Sequence, residues 1–141
     1  MSDTPNASSQ WVVLQITNSL RSRPLKIQNA NLIWGKFHQK GNPDIELSPE
    51  EIDKIVIPAG SDQSVSSSAR ESSPAGTEGT IDLYDDTTKI CTLYWSCLWV
   101  AVGNKFEVRD VNKARGYIVS NGPWNPSGPL GNIRIEVAAK E

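Results

Sequence analysis

The sequence predicts an all-β fold, an antiparallel β-sandwich of about eight to ten short strands with at most one or two helical turns. Three observations lead there. Apolar residues recur with a period of two, and almost nowhere with the 3.6 of a helix. Clusters of Gly, Pro, Asn, Asp and Ser punctuate the chain at regular intervals. At 141 residues the chain fits one domain with one core, and no internal repeat divides it.

Residues 1–10, MSDTPNASSQ, read as a disordered polar tail, and residues 11–141 as the sandwich domain. From Trp11 onward Val12, Leu14 and Ile16 fall on one face, with Val13, Gln15 and Thr17 on the other, the mark of a half-buried strand. Asn18, Ser19, Ser22 and Pro24 turn the chain into further extended segments at Leu25–Ile27 and Leu32–Trp34. The run from His38 to Glu51, HQKGNPDIELSPEE, reads as a loop. Its end has the form of a helix start: Ser48 as cap, Pro49 at the first helical position and Glu51 closing a capping box. One helical turn and then a strand are expected before Pro58.

Gln63–Arg70 is a serine-rich strand candidate, and Glu71–Gly79 a loop of small residues. Thr80–Tyr84 alternates Ile81 and Leu83 inward, and Asp85-Asp86 turns the chain. Lys89–Trp99 is the most aromatic strand. Cys91, Leu93, Trp95, Cys97 and Trp99 share one face, and Ile90, Thr92, Tyr94, Ser96 and Leu98 the other. Lys105–Val111, Gly116–Ser120 and Asn132–Ala138 complete the set, and Asn121–Gly131 is a Pro/Gly loop that carries Trp124.

The bulk chemistry excludes several classes. The formal net charge is −2 with basic residues scattered, so no nucleic-acid footprint is present. No run approaches the ~20 apolar residues of a membrane-spanning helix. The start lacks the basic and apolar regions of a secretory signal. The expected location is the cytoplasm, or the outside by a route that needs no such signal. Cys91 and Cys97 lie six residues apart on one strand, about 20 Å if it is straight. A disulfide needs Cα atoms within about 7 Å, so two free, mostly buried thiols are expected.

Neither a metal nor a cofactor is expected. His38 is the one histidine and reads as a solvated loop residue. No nucleophile elbow, phosphate-binding Gly loop or zinc-protease motif occurs. GTEGT at residues 76–80 reads only as a turn signal, and Asp85-Asp86 and Glu50-Glu51 as solvated turn carboxylates. An enzyme is therefore not expected.

The distinctive feature is five tryptophans: Trp11, Trp34, Trp95, Trp99 and Trp124. A sandwich buries one face of each strand, so some aromatics of Lys89–Trp99 should reach the surface. Trp and Tyr favour the lipid headgroup region, where apolar ring and polar edge are both satisfied. Aromatic rings also cage quaternary ammonium groups such as choline. Trp95 and Trp124 stay ambiguous between core and rim. The alternative function is a carbohydrate- or protein-binding module in which Trp124 and Trp99 stack on the ligand.

Several segments together resemble the aegerolysin family: QWVVLQITN (10–18), IWGKFHQKGNPDIELSP (33–49), ARESSPAGTEGTIDLYD (69–85), LYWSCLW (93–99) and GPLGNIRIEV (128–137). The likeness runs in order over nearly the whole chain from Gln10. It implies a small β-sandwich that binds sphingolipid membranes, either sphingomyelin with cholesterol or ceramide phosphoethanolamine. It also implies a targeting role in a two-component pore-forming cytolysin, some bacterial pairs being insecticidal, with a membrane-attack-complex/perforin-type partner. By the resemblance, the membrane-facing aromatics are Trp11, Trp34 and Trp99, with Tyr94 alongside. Lys36 matches the basic residue of the family Trp-Gly-Lys motif, and Arg70 the arginine of its Cys-Gly-Arg run, which here reads Ser68-Ala69-Arg70. Two positions depart from the family. Ala75 stands where fungal members carry a glutamate that tunes lipid choice, and Val102 replaces a lipid-contacting lysine.

Overall fold

A computed structural model describes residues 10–71, 75–98 and 103–140. The strands are β1 (Trp11–Asn18), β2 (Leu25–Trp34), β3 (Lys36–Gln39), β4 (Asn42–Leu47), β5 (Val56–Ile57), β6 (Asp62–Ser68), β7 (Thr77–Asp85), β8 (Thr88–Cys97), β9 (Lys105–Arg109), β10 (Tyr117–Asn121) and β11 (Gly131–Ala139). One helical turn, α1 (Pro49–Ile52), and a 3-10 turn at Lys113–Arg115 interrupt them. The first sheet runs β10-β11-β1-β6-β3-β4 and the second β5-β2-β7-β8-β9. The expected β-sandwich is borne out. One pair departs from the antiparallel rule, because β1 and β11 run parallel from Val12↔Gly131 to Asn18↔Val137.

The alternation in the sequence becomes the core. Val12, Leu14 and Ile16 of β1 join Ile133, Ile135 and Val137 of β11 from one sheet. Leu25, Ile27, Ile81, Leu83, Cys91, Leu93 and Trp95 answer from the other. Phe37 of β3 meets Trp95 edge-to-face, with ring centroids 6.0 Å apart, and so joins the two sheets near one end. Both cysteines are free and buried, as their spacing requires. The capping box also forms: Glu51 N donates to Ser48 Oγ at 3.1 Å, and Ser48 N donates to Glu51 Oε1 at 2.9 Å.

Four readings are corrected. The presumed loop after Trp34 holds the β3–β4 hairpin, with Phe37↔Leu47 and His38↔Glu46 paired. It looks like a loop because β4 is an edge strand, where polar residues and Pro43 are tolerated and even protective. His38 is accordingly no solvated loop residue; it is 8% exposed and opposes Ser66 of β6. GTEGT is no turn, since β7 begins at Thr77. Its Gly79 is needed because a Cβ there would lie 2.4 Å from Asn31 O and 2.8 Å from Trp95 Cζ2. Asp85 is buried rather than solvated: it accepts from Tyr117 Oη at 2.6 Å and pairs with Arg23 Nε at 2.8 Å.

The registers bring one set of strand ends together. β1, β3, β7, β9 and β11 begin there, and β2, β4, β6 and β8 finish there. That end holds Trp11, Trp34, Trp95 and Trp124.

Candidate functional site

The rim is built around a chain switch. β2 ends at Trp34 in the second sheet, and β3 starts at Lys36 in the first. Gly35 makes the crossing at φ +94°, and a Cβ on it would sit 2.6 Å from Ser68 O and 2.9 Å from Thr77 Cβ. Only glycine fits a backbone that tight and that left-handed. The Trp-Gly-Lys order thus places an aromatic and a cation side by side, one on each sheet.

Beneath this turn a buried relay ties the sheets. Trp95 Nε1 donates to Thr77 Oγ1 at 3.0 Å. Thr77 Oγ1 and Ser67 Oγ lie 2.6 Å apart, and Ser67 Oγ donates to Lys36 O at 2.8 Å. Donors and acceptors balance if Thr77 donates to Ser67, so every member is satisfied. Trp95, ambiguous between core and rim by sequence, is therefore core, with no exposed surface.

Trp11 is half-buried at the start of β1 and opposes Ser68, which opposes Lys36 on its other side. With strands about 4.8 Å apart, Trp11 and Lys36 stand about 10 Å apart across the first sheet. Trp34 is 50% exposed and its neighbour Ile33 55%, so an apolar step projects at the end of the second sheet. Trp124 is half-buried and packs against the core. Its loop is pinned by Asn104 Nδ2, which donates to Asn125 O at 2.8 Å and Gly128 O at 3.0 Å. Cys97 Sγ adds a contact to Gly128 O at 3.2 Å, and burial pushes that thiol's pKa up.

The polar groups of the rim are mutually paired. Arg70 binds Glu46 of β4 with two bonds, Nη1–Oε1 at 2.9 Å and Nη2–Oε2 at 2.6 Å. That hydrogen bond holds the Glu46 carboxyl below its ordinary value of 4.5 and raises Arg70 above its own. Tyr94 donates its hydroxyl to Glu78 Oε2 at 2.6 Å, and the Arg109 guanidinium covers its ring at 4.0 Å from the centroid. Burial and then the Glu78 bond raise the Tyr94 pKa. Arg109 Nε in turn reaches Glu107 at 2.7 Å.

Ala75 lies half-buried at the rim, next to Gly76, whose backbone packs tightly on the end of β8. Trp99 and Val102 lie outside the described residues. Of the expected set, the structure gathers Trp11, Trp34, Lys36, Arg70, Ala75 and Trp124 at one end, with Tyr94 on the outer face just behind Trp34. The residue that sequence reasoning missed is Glu78. It opposes Trp34 in the β2–β7 ladder and accepts from the Tyr94 hydroxyl, which puts a carboxylate on the strand between these two aromatic residues. The strand register alone reveals it; at sequence level it sits inside GTEGT.

The chain matches the aegerolysin family model over residues 9–140. It is 39% identical to Asp-hemolysin of Aspergillus fumigatus, over 95% of this chain and 96% of that one. Among solved structures, IP-1A from Alcaligenes faecalis is 34% identical with a TM-score of 0.86, over 96% of this chain and 94% of that one. RahU protein, solved in complex with a TRIS molecule, is 30% identical with a TM-score of 0.88, over 94% of this chain and 96% of that one. Sequence likeness over almost the whole chain and the shared sandwich lead to one conclusion: this chain belongs to the aegerolysin family.

Proposed function

We propose that this protein binds sphingolipid membranes through its tryptophan rim and is the targeting component of a two-component pore-forming cytolysin with a perforin-like partner. The observation that carries the reading is the rim itself. Trp34 with Ile33, Trp11 and Trp124 ride on strand ends and a pinned loop at one end of a rigid sandwich, beside Lys36, Glu78 and Tyr94. Half-exposed indoles next to paired polar groups suit the headgroup layer. The name of Asp-hemolysin points the same way.

The electrostatics favour a zwitterionic headgroup over a purely anionic one. Glu78 between Trp34 and Tyr94 takes an ammonium by charge and by aromatic contact. Lys36 supplies a cation for a phosphate. Glu78 thereby stands in for the carboxylate that the family carries at the position of Ala75. Recognition of this kind is binding and involves no bond-making step.

The test is pelleting with vesicles of phosphatidylcholine alone, of sphingomyelin with cholesterol, and of phosphatidylcholine with ceramide phosphoethanolamine. Selective pelleting with one or both sphingolipid mixtures is expected; equal binding to all three, or none, overturns specific binding. Dye release from the vesicles should require an added perforin-like protein. Release by this chain alone overturns the targeting role.

A further inference from the structure

β6 is unusually rich in serine, and its register sorts the hydroxyls by face. Ser67 points inward into the relay with Thr77. Ser66 and Ser68, two residues apart, point to the outer face of the first sheet. There Ser68 has Trp11 and Lys36 as cross-strand neighbours, and Ser66 has Val13 and His38. Trp11, Val13, His38 and the two serines line a groove of about 200 Å³, closed on its far side by Gly41 and Pro43 of the β3–β4 hairpin.

The Ser66 and Ser68 hydroxyls are buried and have no hydrogen-bond partner among the described residues. Nothing in the packing favours this. Alanine would fill nearly the same space without stripping a hydroxyl of its hydrogen bonds. Two such groups on one wall of one cavity call for a ligand that completes them.

The lining selects the ligand. Trp11, Val13 and Pro43 form apolar walls, and among the described residues no carboxylate, lysine or arginine lines the groove. His38 Nδ1 is 2.9 Å from Gln39 O, which only accepts, so Nδ1 carries the hydrogen of that contact and Nε2 is the ring nitrogen left over. An aromatic wall, two hydroxyls that donate or accept and an imidazole edge match a neutral sugar ring, which has an apolar C–H face and an edge of hydroxyls. The volume lies below the roughly 300 Å³ at which drug-sized sites begin, which limits the ligand to about one ring.

We propose that this groove binds a single neutral hexose ring beside the tryptophan rim, with Trp11 shared between the two. Trp11 and Ser68 stand at the rim. Val13, Ser66 and His38 stand about 7 Å further from it along the strands. The sugar headgroup of a glycolipid held at the rim would extend in that direction, and a free glycan presents the same chemistry. Only the glycolipid source rests on the membrane-facing reading of the rim.

Saturation-transfer NMR with methyl glucoside, methyl galactoside and methyl mannoside reads the groove directly, and pelleting with glucosylceramide vesicles, with and without free hexoside, reads the source. At least one hexoside should bind. Ser66→Ala/Ser68→Ala should weaken it about tenfold or more and raise the melting temperature, because buried unpaired hydroxyls are removed. Binding of free hexoside without glucosylceramide pelleting assigns a free glycan; hexoside-reversible pelleting assigns a glycolipid. Ser66→Ala should leave sphingomyelin pelleting unchanged. The proposal is overturned if no hexoside binds, if the double variant binds as the wild type, if it melts lower, or if Ser66→Ala also abolishes sphingomyelin binding, since groove and rim would then be one site.

Discussion

Replacing Trp34 by alanine removes the largest projecting indole of the rim. A tryptophan offers up to about 250 Å² for burial, and Trp34 leaves 50% of its surface exposed. About 125 Å² is thus available to a bilayer, worth about 3 kcal/mol at 25 cal/mol per Å². Alanine keeps a small part of that, so the expected loss is about 2–3 kcal/mol, or about 30- to 150-fold in vesicle partitioning. The half that packs on the domain costs stability too, about 1–2 kcal/mol, which leaves the protein folded. The assay is a titration with sphingomyelin/cholesterol vesicles, alongside circular dichroism and a thermal melt of the same sample. A folded variant whose partitioning falls less than about threefold would refute membrane insertion of Trp34. Loss of the fold instead would make Trp34 a structural residue.

Three further outcomes follow from the rim and the core. Gly35→Ala should destabilise by about 3 kcal/mol or more, since it adds a Cβ 2.6 Å from Ser68 O at a φ of +94°; an unchanged denaturation midpoint would contradict the tight crossing. The Glu46–Arg70 pair should stabilise at neutral pH by less than about 1 kcal/mol, both side chains being half-exposed. Its folded-state carboxyl lies below 4.5, so the contribution is present above that value and fades as the pH falls through the lowered one; melts of wild type and Glu46→Gln should differ at pH 7 and converge as the pH is taken progressively below 4.5. Burial, with Asp82 nearby, pushes Cys91 up to about 12, so a disulfide reagent at pH 8 should leave it untouched until denaturant is added.

The parts of the fold that were legible in the sequence are those written in periodicity and caps. Val12, Leu14 and Ile16 alternate because β1 has one buried face, and Ser48-Pro49-Glu50-Glu51 spells its own helix start. Periodicity says nothing about strand direction, so the parallel β1–β11 pair could not be read. The β3–β4 hairpin was hidden because an edge strand need not alternate. His38 and Asp85 look solvated in one dimension; only the partner strands that cover them, or the Tyr117 and Arg23 side chains that satisfy Asp85, reveal burial. The same limit hid Glu78. Its place between Trp34 and Tyr94 depends on two registers, β2 with β7 and β7 with β8, and on neither strand's own sequence.

The pairing of the rim charges predicts how binding responds to salt. Arg70 is bound on both oxygens by Glu46, and Arg109 by Glu107. Guanidiniums already neutralised in this way contribute little attraction to an anionic surface, which otherwise supplies about 1 kcal/mol per unpaired basic residue. The affinity then rests on indole burial, which added salt does not screen. Raising ionic strength from about 0.1 to 1 M shortens the Debye length from about 10 to 3 Å. Partitioning onto sphingomyelin/cholesterol vesicles should change by less than about threefold across that range. A polybasic mechanism would instead lose most of its binding, and a fall of that size in a vesicle titration would mean that Lys36 and Lys105, rather than the tryptophans, hold this protein on the membrane.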